Sequence, residues 1–346
     1  MPARMQRPQT FFAGLLFSFA LGAGACGGAP ESVASQTHAD TNGTDPVVVT
    51  NASTTTLRIV ASNTTSGNLQ SYDPGDGQRI LQALKPDVAL MQEFNYGDNS
   101  PTAIRSFIDA TFGKEFSYYR ETGHAQIPNG VVSRYPIVTG GYWTDPQTTT
   151  RSFAYARIDI PGDHDLWAIS VHLLTSGASR RSSQATAIVS AIQANVPAGD
   201  YITIGGDFNT KSRTEGCVQT LGRVFKVTGP WPVDTHDNGD TSSNRNDPYD
   251  WVLASPALDA LQVPAQVGGL SFPSGLVFDS RNFDPLANVA PVRRGDSGSS
   301  NMQHMAVVRD FAIPAPAPAP VVPPTDTTDT TGETGTTDTT TPPSSP

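Results

Sequence analysis

The chain has 346 residues, with 22 Lys and Arg against 32 Asp and Glu and a net charge of −10. Between Thr56 and Ile313 the balance is still 20 Lys and Arg against 25 Asp and Glu, which argues against a protein whose affinity comes from tracking a phosphate backbone. Two cysteines cannot staple a disulfide-dense scaffold; the central region must stand on its core, and a stretch of about 260 residues can bury ~75% of its unfolded surface.

In chain order, Arg4 and Arg7 precede an uncharged apolar run from Phe11 to Ala25, followed by Cys26. That run is short for a bilayer span and its flanks suit an export signal over residues 1–26. The order Ala23-Gly24-Ala25-Cys26 resembles a bacterial lipoprotein signal, although Ala23 stands where leucine is usual. It implies lipidation of Cys26, an exported protein either anchored by its lipid or secreted, and Cys217 as the remaining thiol, small and buried. Residues 27–55 are rich in Ser, Thr, Asn and Gly without apolar period and read as a tether.

The central region, 56–313, alternates short strands with fewer helices. Leu57–Ser62 is a strand candidate ending at Asn63. Gln78–Lys85 is a helix stopped by Pro86, and Asp87–Gln92 a buried strand with Glu93 at its end. Pro101 opens a helix carrying Ile104, Phe107, Ile108 and Phe112 at helical spacing. Gly130–Ser133, Ser152–Ile160 and Leu166–Val171 are strands, the last delivering His172. Arg181–Val196 is a helix, and Tyr201–Gly205 a strand leading to Asp207 and Asn209. Trp251–Ala254 and Met305–Phe311 are late strands. Beyond Pro314 the chain turns to Pro-Ala alternation and then Thr, Asp and Pro, which bury too little apolar area to offset the entropy of ordering.

Several polar side chains stand at strand ends, where α/β architectures assemble sites. Glu93 follows Val88-Ala89-Leu90-Met91-Gln92, and a carboxylate beside such a run needs a partner or a cation unless it simply meets solvent. In an extended segment Asp207 and Asn209, two apart, would face one oxygen-rich site; an Asp/Asn turn explains them equally well. His172 ends a strand, while Asp250 and His304 open strands, so that a carboxylate could fix a histidine tautomer. Each histidine alone is better explained as a structural hydrogen bond.

In order, Asn63, Met91-Gln92-Glu93, Ser133-Arg134-Tyr135-Pro136, Ser170-Val171-His172, Gly206-Asp207-Phe208-Asn209, Tyr249-Asp250-Trp251 and His304 before Met305-Ala306-Val307 resemble the endonuclease/exonuclease/phosphatase superfamily. The resemblance spans nearly all of Leu57–Phe311. It implies an α/β four-layer sandwich, with two central mixed β-sheets face to face and helices outside. It implies Glu93 as main metal ligand with Asn63 beside it, and Asp207 and Asn209 handling the attacking water and a phosphate oxygen. It implies His172 as a phosphate contact, and His304, oriented by Asp250, as base or transition-state donor. The cofactor would be Mg²⁺, or Mn²⁺ or Ca²⁺, hard cations that prefer oxygen ligands. Arg151, and less so Arg180 and Arg181, are candidate phosphate contacts by their forked donors.

One position departs. The superfamily's late histidine usually follows aspartate; here Gln303 precedes His304, offering the metal a carbonyl oxygen without charge, unless an acid such as Asp296 substitutes. The resulting expectation is an exported, monomeric, metal-dependent phosphodiesterase. A nuclease comes first and a phospholipid or sphingomyelin hydrolase second, the membrane being touched only through the lipid anchor. A binding protein with a retired site is the reading of another class. A nuclease would carry Lys and Arg flanking the site; a lipid enzyme would carry exposed aromatics.

Overall fold

The computed structural model describes residues 53–64, 71–123 and 125–316. The expected export signal with Cys26, most of the tether and most of the C-terminal tail lie outside them. No helix among the described residues is long and apolar enough to cross a membrane.

The first half runs β1 (Thr54–Ser62), α1 (Asp76–Leu84), β2 (Val88–Met91), α2 (Pro101–Thr111), β3 (Ser117–Arg120), β4 (Gly130–Ser133), β5 (Ile137–Trp143), β6 (Phe153–Ile158) and β7 (Leu166–His172). Next come α3 (Ala178–Asn195), β8 (Tyr201–Asp207), α4 (Gly216–Leu221), β9 (Asp250–Ala254) and α5 (Pro256–Asp259). The short strands β10 (Gln262–Val263), β11 (Ala265–Val267), β12 (Leu270–Phe272) and β13 (Leu276–Phe278) precede β14 (Ala306–Pro314).

One sheet has the order β10-β14-β1-β2-β4-β3, with β13 also on β14; the other is β5-β6-β7-β8-β9. Both are mixed, since β1–β2 and β7–β8 are parallel while the remaining pairs are antiparallel. Strand alternation sends Leu57, Ile59 and Ala61 of β1 inward against Ala156, Ile158 and Ala168 of the second sheet. Val60, Ala89 and Met91 face outward under Ile80, Leu81, Ile104 and Phe107 of α1 and α2. On the far side Ile169, Val171 and Ile204 pack under Ala185, Ile188 and Ile192 of α3 and Val218 of α4. The expected four layers follow: helices, sheet, sheet, helices. Each fully buried side chain such as Phe107 contributes about 1.5–3 kcal/mol of transfer free energy.

Local chemistry sets the helix ends. Ser100 accepts from the Ala103 N–H and Pro101 occupies the first turn of α2. Helix α1 starts at Asp76, earlier than the apolar spacing indicates, and ends at Leu84 because Lys85 turns left-handed before Pro86. Helix α3 starts at Ala178 rather than Arg181, since Gly177 at φ +86° turns the chain into it. Thr54 and Thr55, read as tether, belong to β1 because they pair with Pro314 and Ile313, so β14 also runs one residue past the expected boundary.

Candidate active site

The topology delivers the candidate side chains to one end of both sheets. The parallel strands β1 and β2 finish at Asn63 and Glu93; the parallel strands β7 and β8 finish at His172 and Asp207. The antiparallel strands β9 and β14 begin at Asp250 and just after His304. All six side chains are buried. Beneath them the Gln92 amide donates to Ser170 Oγ at 2.9 Å, and Ser170 Oγ donates to the Met91 carbonyl at 2.7 Å, binding the two sheets together at the base of the site.

Asp207 is the hub. Its Oδ2 accepts from the Asn63 amide at 3.1 Å and the Asn209 amide at 3.0 Å, and lies 3.2 Å from His172 Nε2 and 3.5 Å from His304 Nε2. The Asn63 amide also lies 3.4 Å from Glu93 Oε1, and His172 Nδ1 is 3.8 Å from the same oxygen. His304 Nδ1 meets Asp250 Oδ2 at 2.9 Å. Asp250 is thus the acid that orients His304, leaving Nε2 directed at Asp207.

The segment through Asn209 is not extended as the alternation argument requires. Asn209 has φ +51°, its N–H donates to Asp207 Oδ1 at 2.8 Å, and the turn brings its amide back onto Asp207. The Asp/Asn turn and the shared site are therefore one arrangement. Glu93 is also left-handed, at φ +48°. Of the six non-glycine residues at positive φ among the described residues, Glu93 and Asn209 stand at the cluster; asparagine tolerates this region, so the strain falls on Glu93, held by the surrounding packing.

Burial pushes the Asp207 carboxyl up to about 7 against the pull of His304, with Asp250 and Glu93 adding to the rise. Burial alone would lower His304, but Asp250, Asp207 and Glu93 raise it to about 9. Burial, then Arg151 and His304, hold His172 well below the ordinary imidazole range, so it is neutral.

Glu93, His172, Asp207, Asn209 and His304 form the floor of a cleft of about 450 Å³ whose walls include Ile127, Thr148, Thr150, Thr175, Lys211, Tyr249 and Gln303. Arg151 also lines it, but its guanidinium is buried and donates to the His172 carbonyl at 2.5 Å and the Leu173 carbonyl at 3.0 Å. Gln303 is exposed at the rim, and its backbone carbonyl accepts from the Ser243 N–H at 2.8 Å. Arg180 is exposed and donates to the Gln147 carbonyl, beside Thr148.

Two expectations are corrected. Arg181 is not free for phosphate: it is buried and donates to Glu215 at 2.7 and 3.0 Å and to the Leu174 carbonyl at 3.1 Å. Asp296 does not replace the missing aspartate, because Arg79 holds both its oxygens, at 2.7 and 3.0 Å. Lys211 and Tyr249 were not anticipated. The Lys211 ammonium lies 4.4 Å from the Tyr249 ring centroid, and that ring packs 5.5 Å from His304. Their places beside Asn209 and Asp250 in the sequence were the available signal; Thr148 and Thr150 carried none.

The donor set suits a hard cation. Ligand atoms of Asp207, Asp250 and His304 lie within 4.8 Å of one another. Buried Asn63 Oδ1 and Asp250 Oδ1 have no hydrogen-bond donor among the described protein groups. Orphaned acceptor oxygens amid buried carboxylates are costly without a positive partner.

The sequence profile of the endonuclease/exonuclease/phosphatase family matches residues 68–274, and the chain belongs to that family. It is a hydrolase acting on phosphoester bonds. Among solved structures, an endonuclease/exonuclease/phosphatase from Beutenbergia cavernae DSM 12333 is 17% identical with a TM-score of 0.51, over 75% of this chain and 72% of that one. Another from Bacteroides vulgatus is 15% identical with a TM-score of 0.51, over 75% of this chain and 99% of that one. At such identities the likeness is one of fold. No curated protein matches the chain.

Proposed function

We propose that the protein is a metal-dependent phosphodiesterase acting outside the cytoplasm, with nucleic acid as the favoured substrate. The observation that carries this reading is the buried cluster of Glu93, Asp207, His172 and His304 at the floor of an open cleft, backed by Asp250 and by the orphaned Asn63 Oδ1. Glu93, Asn63 and Asp207 would hold Mg²⁺ or a similar ion, with Gln303 as a neutral ligand from the rim. Bound there, the cation supplies charge neutralisation at a non-bridging phosphate oxygen.

The remaining work falls to side chains. Asp207 and Asn209 orient the attacking water and a phosphate oxygen, and His172 donates to the phosphate. Arg151 adds positive field from below, since its N–H groups are largely committed to carbonyls. His304, fixed by Asp250, moves a proton at Nε2. Such a histidine contributes ~10²–10⁴-fold. Export rests on the N-terminal sequence, with lipidation at Cys26. Nucleic acid is favoured over phospholipid because Lys211 stands exposed on the cleft wall, its ammonium 3.1 Å from Asp247, and Tyr249 is the single aromatic residue on that wall among the described residues.

The test is hydrolysis of plasmid DNA, RNA, bis-p-nitrophenyl phosphate and sphingomyelin liposomes with Mg²⁺, Mn²⁺ or Ca²⁺, each against EDTA. Glu93→Ala and His304→Ala run alongside. Metal-dependent turnover lost in both variants is expected, and the substrate that responds fixes the class. A folded protein without turnover on any substrate would make Gln303 the mark of a retired site and the protein a binding module.

A further inference from the structure

For one cation to touch both Asn63 and Glu93, their side chains must stay close, and the ends of two neighbouring strands set that distance. β1 and β2 pair in parallel from Ile59 opposite Val88 to Ser62 opposite Met91. One further link follows, the Gln92 N–H donating to the Ser62 carbonyl at 3.2 Å. Asn63 and Glu93 come directly after it, with the Asn63 amide 3.4 Å from Glu93 Oε1. Glu93 stands at φ +48°, a backbone setting that relaxes unless its surroundings hold it.

A phenol from the stretch before α1 sits at this junction. Tyr72 is fully buried. Its hydroxyl donates to the Ser62 carbonyl at 3.1 Å and has the Gln92 carbonyl 3.5 Å away. These two carbonyls belong to the peptide units that lead into Asn63 and Glu93. Each unit is planar and turns as a whole. Turning the one between Gln92 and Glu93 is what would relax the φ of Glu93, and a donor beside its oxygen opposes that motion.

Tyr72 is itself held firmly. Its N–H donates to the Asn95 carbonyl at 3.0 Å, and its own carbonyl accepts from the Gly75 N–H at 3.0 Å. Its ring packs 5.2 Å from that of Phe107, in the core cluster beneath α1 and α2. Packing would be served as well by phenylalanine, and burying the extra oxygen costs free energy that its hydrogen bonds offset. Burial is also the largest of the effects that raise the phenol above its ordinary value, so at neutral pH it carries the proton that it donates.

We propose that Tyr72 is a positioning residue of the metal site: its hydroxyl clamps the ends of β1 and β2 and so fixes the spacing of the Asn63 and Glu93 oxygens that receive the cation. The inference rests on the metal-dependent reading above. Tyr72 touches neither cation nor substrate and acts through Asn63 and Glu93. Without the hydroxyl the cation has to order the strand ends as it binds, and affinity falls by the cost of that ordering.

The test is Mn²⁺ binding to the full chain without substrate, followed by the electron paramagnetic resonance signal of free Mn²⁺ at a temperature where every variant is folded. Glu93→Ala identifies the site, because the tightest binding of the parent should vanish in it. Tyr72→Phe should weaken that binding about tenfold, the lower end of the range for outer partners of a metal site. Ile80→Val trims the same core cluster at a comparable loss of stability and should leave Mn²⁺ affinity unchanged. Unchanged affinity in Tyr72→Phe overturns the proposal and leaves the phenol a brace of the fold alone. Equal weakening in Ile80→Val overturns it too, since any loosening of the core would then suffice. A parent with no Mn²⁺ site that Glu93→Ala removes overturns the metal reading, and this inference with it.

Discussion

Replacing Gly206 by alanine should cost several kcal/mol of stability. Gly206 has φ +125°, and a Cβ there would lie 2.2 Å from the Val171 carbonyl oxygen and 2.5 Å from Gln92 Nε2. A non-glycine residue held in that backbone region costs about 1–3 kcal/mol. Overpacking a dense interior costs a further ~1–3 kcal/mol, and relief is limited because the Val171 oxygen is backbone of the adjoining strand. The lower entropy of the unfolded alanine chain returns about 0.4–1 kcal/mol. The net is about 1–5.5 kcal/mol, centred near 3, which in a domain of this size lowers Tm by roughly 6–12 °C at the centre of that range. Urea titration and calorimetry would measure it. Gly206 also precedes Asp207 and pairs with Val171, just before His172, so turnover should fall even in protein that remains folded. A loss below about 1 kcal/mol with activity retained would show that the strand ends are not packed as described.

Other outcomes follow from the same geometry. Asp250→Asn removes the carboxylate held 2.9 Å from His304 Nδ1; kcat on bis-p-nitrophenyl phosphate should fall about 10²–10⁴-fold with KM little changed. Gln303→Asp adds a charged oxygen at the cleft rim and should tighten Mg²⁺ binding by roughly tenfold, read as the Mg²⁺ concentration for half-maximal activity. The Cys217 thiol, pushed up to about 11 by burial and then Glu215, should ignore a thiol reagent at pH 8 until the protein unfolds. The fold favours its neutral form. That contribution is therefore complete below the ordinary thiol pKa and lost as pH rises from about 9 to about 11. Its size is at most ~3 kcal/mol, and Cys217→Ala should flatten this part of the unfolding profile.

The parts of the fold legible in the sequence were those with an unambiguous apolar pattern: β1, β2, β4, β6, β7, β8, β9 and β14, and the helices α1, α2 and α3. Strand β5 escaped because Ile137–Trp143 contains Gly140 and Gly141 and leaves Val138 and Tyr142 exposed, so no apolar face repeats. Strands β10 to β13 have two or three residues each, too few to show a period. Helix α4 has six residues, and its Cys217, Val218 and Leu221 make less than two turns of stripe. The site was legible because strand ends gather chemistry, and Glu93, His172, Asp207, Asn209, Asp250 and His304 do meet. What the sequence could not convey was commitment. Arg181 and Asp296 look as available in one dimension as Arg180, and only the packing shows Glu215 and Arg79 occupying them.

The pairing of β1 with β14 has a consequence of its own. Thr54 sits opposite Pro314, and the Ala315 N–H donates to the Ser53 carbonyl at 2.8 Å. The polypeptide therefore enters and leaves the domain side by side. Asn63, one strand length further on at about 3.3 Å per residue, is roughly 30 Å away. A cargo, a label or a surface attached through either end would meet the molecule at its foot, leaving the cleft at the other end open. The same proximity makes the sequence suited to circular permutation: joining the old ends by a few residues would keep every strand pair, and new ends could be opened in an exposed turn.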